Sequence, residues 1–142
     1  MGDDLIVISA SNYYDDYCTF DLTVSTSWVR QSISFLGYTN TFEEFGKSLM
    51  NFPSNTAHEI WFQEGKDEGY GPWYLSIKAY CYNDQGHTAL HIIIDNQESL
   101  PKKCRVGFSL LAEGASINSL GRSLFNWEIK QQQTIEWKAQ TS

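Results

Sequence analysis

Residues 73–95 read WYLSIKAYCYNDQGHTALHIIID, and their side chains alternate with period two on both sides of a turn. Trp73, Leu75, Ile77, Ala79 and Cys81 fall on one side, and Tyr74, Ser76, Lys78, Tyr80 and Tyr82 on the other. Such alternation belongs to a strand with one dry and one wet face. Asn83-Asp84-Gln85-Gly86 supplies residues that tolerate positive φ, so the chain can reverse there. Leu90, Ile92 and Ile94 then alternate with Ala89, His91 and Ile93, which gives the return strand.

Working outward from this hairpin, residues 58–64 and 103–111 read as flanking strands. Residues 5–10, 18–28 and 31–38 read as three more. In 18–28, Cys18, Phe20, Leu22, Val24 and Trp28 form the apolar side. Two segments switch to helical spacing. Phe42, Phe45, Leu49 and Phe52 predict a helix over about 41–52, with Thr41 and Glu44 as a capping box and Pro53 beyond its end. Ile117, Leu120, Leu124 and Trp127 predict a helix over about 116–127, with Ser116 as N-cap. The tail, 128–142, is polar except for Ile135 and Trp137, and can add an edge strand. The expected fold is one α+β domain over 1–142. It has an antiparallel sheet of about six to seven strands, able to curve strongly, with both helices on one face.

The 142 residues can bury about two thirds of their surface, so neither a disulfide nor a metal is needed for stability. No apolar run reaches the length of a membrane span. The start, Met1-Gly2-Asp3-Asp4, lacks the basic region of a signal peptide, and Ile6 breaks the myristoylation pattern. Cys18, Cys81 and Cys104 are odd in number and widely spaced, which fits free thiols in a reducing cytosol. The net charge of −7 disfavours direct binding to nucleic acid or to anionic membranes, and suits a basic protein partner. All of the excess lies in residues 1–64.

No phosphate-binding, nucleophile-elbow or zinc-protease motif occurs, and no cofactor is expected. His87 and His91 have zinc-pair spacing only on a helix; on a strand they stand about 13 Å apart. Cys81 and His87 flank one turn and are the sole nucleophile–base candidate, but Cys81 sits on the apolar side, where a thiol is inert. Glu43-Glu44 fits the dipole of a helix first turn better than acid–base chemistry. The expectation is a binding protein rather than an enzyme. The eight tyrosines, many on wet faces or in loops, supply rigid contact area for a protein surface.

From Phe42 to Trp127 the order is a helix (FEEFGKSL, 42–49), a strand with Trp61, and an apolar strand into Asp84-Gln85-Gly86-His87. Ile92-Ile93-Ile94 follows, then the helix start Glu113-Gly114-Ala115-Ser116 and a helix carrying Leu120. This order resembles the small immunity proteins encoded beside bacterial polymorphic and contact-dependent toxins, in particular the WapI-like group. The resemblance implies a cytoplasmic, non-enzymatic inhibitor that binds a cognate toxin domain, often a basic nuclease, and occludes it. Charge and loop placement, not a family motif, give the candidate surface: Asp15, Asp16, Asp21, Glu43, Glu44, Glu64, Asp67 and Glu68, with Tyr13, Tyr14 and Tyr70. A second class is a small-ligand (sugar or similar) module with an aromatic groove between sheet and helices.

Overall fold

The computed structural model describes residues 4–141, so Met1, Gly2, Asp3 and Ser142 lie outside the described residues. The chain runs β1 (Leu5–Tyr14), β2 (Tyr17–Ser25), β3 (Arg30–Tyr38), α1 (Glu43–Leu49), β4 (Ile60–Gly65), β5 (Tyr74–Cys81), β6 (Thr88–Asp95), β7 (Arg105–Leu111), α2 (Gly114–Phe125) and β8 (Thr134–Lys138). The fold is α+β and antiparallel, with two helices. Among the described residues the strands number eight and divide into two four-stranded sheets, β3-β2-β1-β8 and β4-β5-β6-β7. The chain passes from one sheet to the other through α1 and the segment behind it, which connect β3 to β4, edge strands of different sheets.

Both sheets turn one face to a common core. Ile6, Ile8, Phe20, Leu22 and Phe35 come from the first sheet, and Phe62, Leu75, Ile77, Leu90 and Ile92 from the second. The sheets approach each other along β3, where the Gln31 amide lies 3.9 Å from the Cys104 thiol just before β7. On the opposite side α1 touches β4, α2 touches β8, and the helices pack on each other. The helix pair therefore closes the open side of the two sheets. Rings fill the space beneath it: Phe42 stacks on Phe62 at 4.6 Å and meets Phe20 edge-on at 5.1 Å. An aromatic groove between sheet and helices is thus filled from within.

Local outcomes differ from the sequence pattern at several points. The strand expected over 18–28 stops at Ser25, because the Thr26 hydroxyl accepts from the Trp28 and Val29 N–H groups and turns the chain. Trp28, expected on the apolar side, is 92% exposed. The α1 N-cap is Phe42, and the Thr41 hydroxyl instead accepts from the Tyr38 N–H at 2.7 Å. Helix α2 starts two residues earlier than expected, and the Ser116 hydroxyl accepts from the Gln140 N–H. Tyr74 and Ser76, expected on a wet face, are buried. The Tyr74 hydroxyl accepts from Gln63, and the Arg105 guanidinium covers its ring. The tail does form an edge strand, β8, which places Ile135 and Trp137 in the core.

Candidate functional site

The acidic and tyrosine residues singled out from sequence do not form one surface. They fall into two clusters and one isolated position. The first cluster is the β1–β2 hairpin tip. Tyr14 is 80% exposed there, and Asp15 adopts φ 56°, a turn conformation that Asp tolerates. The Asp16 carbonyl accepts from the Thr39 N–H at 2.8 Å, which holds the tip against the end of β3. Tyr17 and Tyr38 meet edge-on at 5.1 Å behind it. Tyr13 has a structural part. Its hydroxyl donates to the carbonyls of Ala10 and Ile129, and burial, helped by Cys18, raises its pKa.

Glu43 and Glu44 stand exposed in the first turn of α1, where the helix dipole favours them. A cleft of about 430 Å³ opens between the hairpin tip and the helices. Asp16, Asn40, Glu43, Trp127 and Glu128 line it, with Lys130 as its cation. Glu128 and Trp127 entered this end without being singled out as site residues. Their place depends on the chain beyond α2 folding back over the tip, which side-chain periodicity does not report.

The second cluster is the β4–β5 loop. One of its carboxylates, Asp67, is engaged by the protein's own Arg105. Arg105 donates to both carboxylate oxygens of Asp67, at 2.9 and 3.1 Å, and to Asp95 at 2.8 Å. Burial alone would raise the Asp95 carboxyl. Hydrogen bonds from Arg105 and the Gln97 N–H, with the charges of Lys103 and Arg105, hold it below its ordinary value. The side-chain carbonyl of Gln97 accepts from the Glu68 and Gly69 N–H groups, so the loop is pinned from β6. Glu64 shares the inward-facing row of Leu75 and Ile94, and burial raises its carboxyl. Tyr70 remains 69% exposed.

The two clusters lie at opposite ends of β3. Gln31 at its start touches Cys104 beside the Arg105 network, and Tyr38 at its end touches the hairpin tip. Seven steps of strand separate these points by about 23 Å. Asp21 belongs to neither cluster. It lies on the outer face of the first sheet and accepts a hydrogen bond from Ser34. Of the expected surface, the structure brings Asp16 and Glu43 into one cleft, with Tyr14 and Asp15 next to Asp16 on the hairpin tip and Glu44 next to Glu43 in the first turn of α1.

The nucleophile candidate is not assembled. The Cys81 thiol points to the Asn55 carbonyl, and the His87 ring takes its hydrogen bond from the Asn83 amide. His91 bonds the Ser109 hydroxyl on the outer face of the second sheet; burial, then Lys78, lowers its pKa. Among the described residues no group of three or more His, Cys, Asp or Glu side chains has metal-site geometry. No helix among them is long and apolar enough to cross a membrane. No protein-family model, curated protein or solved structure matches the chain.

Proposed function

We propose that the protein is an immunity protein that binds a basic toxin domain, a nuclease in the first instance, and occludes it in the cytoplasm. The observation that carries this reading is the hairpin end. Asp16, Glu43 and Glu128 line one cleft, Tyr38 stands beside Asp16, and the exposed Tyr14 and Asp15 carry the tip onward from it. Acids there outnumber the nearby lysines, Lys47 and Lys130. Closely set carboxylates on a rigid hairpin offer a basic active site what a phosphate backbone offers. Exposed tyrosines give contact area at little entropic cost, and charge complementarity speeds the encounter.

The test is charge reversal at the tip. Asp15→Lys with Asp16→Lys should weaken binding to the toxin domain of the neighbouring gene by about tenfold or more and flatten its salt dependence. Both side chains are exposed, so the fold should be kept, with a small loss of melting temperature from Lys at the Asp15 φ of 56°. Unchanged affinity and salt dependence in the folded double variant would remove this end from the interface. The equivalent change at Asp67 should instead lower stability, because Asp67 holds Arg105.

A further inference from the structure

The seam between β8 and α2 is a second feature, independent of the acidic tip. β8 is an edge strand, hydrogen-bonded within the sheets to β1 alone. Its register with β1 fixes where its backbone groups point. The Ala10 N–H donates to the Gln133 carbonyl and the Ala139 N–H to the Asp4 carbonyl. In an antiparallel ladder, hydrogen-bonded and non-hydrogen-bonded pairs alternate. Trp137 and Ile135 therefore bond β1, opposite Ile6 and Ile8. Thr134 and Glu136 turn their N–H and C=O groups away from it.

Those outward groups face a trough rather than packed chain. Two depressions, of about 440 and 310 Å³, share Ser123 and Glu136 and so run together along the seam. The far wall is the outer side of α2, with Ser119 and Ser123. At one end the protein closes the edge itself. The Glu113 N–H donates to the Gln140 carbonyl at 2.8 Å, and the Gln140 N–H donates to the Ser116 hydroxyl at 3.2 Å. The chain before α2 thus already bonds the Gln140 row; past Lys138, the outward backbone groups of Glu136 and Thr134 take no backbone hydrogen bond among the described residues.

We propose that this seam takes an extended segment of a partner protein, about four to five residues long, added antiparallel to β8. An exposed strand edge is a template for this kind of recognition: main-chain bonds give affinity and alternate side chains give selectivity. The partner residue opposite Glu136 is basic, because Glu136 is exposed on the outer face and opposite charges across strands stabilise pairing. Its neighbours point into the trough beside Ser119 and are small or apolar. A second copy of this chain offers Glu136 no free basic residue. Pairing β8 with itself about Glu136 sets that carboxylate against its twin, and pairing about Ile135 sets it against Thr134. Pairing about Trp137 runs Thr134 onto the Gln140 row that Glu113 and Ser116 already hold.

The probe is a capped peptide, VKVTV, whose Lys falls opposite Glu136 and whose later residues run toward Thr134, titrated into the full chain and followed by the amide resonance and hydrogen exchange of Glu136. The expected result is saturable binding, with the Glu136 amide shifted and its exchange slowed about tenfold or more. Glu136→Pro removes the outward N–H and no β1 bond, so it should abolish binding while the far-ultraviolet spectrum is kept. Glu136→Lys keeps the N–H and should reverse the preference to the peptide with Glu in place of Lys. No binding at about millimolar peptide would overturn the proposal, as would binding unchanged in folded Glu136→Pro. A dimer in sedimentation that Glu136→Pro dissolves would give the edge to a second copy and overturn it too.

Discussion

Gly46 and Gly121 face each other where the helices cross. A Cβ on Gly46 would lie 2.7 Å from the Phe125 backbone nitrogen, and one on Gly121 would lie 2.6 Å from the Gly46 carbonyl oxygen. Alanine there gains about 1 kcal/mol of helix propensity but overpacks backbone against backbone, at about 1–3 kcal/mol. Gly121→Ala should therefore lower the melting temperature; an unchanged or raised value would show that the helices separate freely. The neighbouring core positions Phe45, Leu49, Leu120 and Leu124 were legible from helical spacing. The glycine contact was not, because it depends on which helix lies opposite. Asp95 gives a pH-dependent counterpart. Its carboxyl titrates below the ordinary value in the folded state. Its stabilisation is thus present above about pH 4 and is lost as the pH falls through the lowered value. Asp95→Asn should cost about 2 kcal/mol at neutral pH, with the difference from wild type shrinking in acid urea titrations. A gap that stays constant with pH would assign the loss to packing instead.

Strands β5 and β6 formed as their alternation required, since each side-chain row could be read from one segment. Burial of the second face could not be read so. Tyr74 is covered by Arg105, two strands away in the sheet order, and only the register Tyr74–Asp95–Arg105 brings them together. β8 was visible only as Ile135 and Trp137 in a polar tail, because an edge strand takes its identity from the strand it joins. It is nonetheless part of the core, and the Trp137 indole N–H donates to the Ser116 carbonyl at 2.9 Å. Ending the chain at residue 132 should strip both side chains from the core and bare the β1 edge. The expected product is unfolded or aggregated, seen by circular dichroism and sedimentation. A folded monomer of near-native stability would mean that β8 is an appendage.

At the scale of the molecule, composition gave the sign of the charge but not its placement. Asp15 and Asp67 look alike in sequence. One is exposed at a hairpin tip, and the other is held by Arg105 at the opposite end of β3, about 23 Å away along the strand. The segregation depends on which end of β3 each loop meets, a property of two sheets closing on one core. The hairpin end is proposed to neutralise a basic toxin domain. Co-expression of this chain with the C-terminal domain encoded by the neighbouring gene, followed by affinity measured from about 50 to about 300 mM salt, tests this. The expected result is a toxic domain, growth restored by this chain, a purified one-to-one complex and affinity that falls as salt rises. A harmless neighbour, or no binding at micromolar concentration, would contradict it.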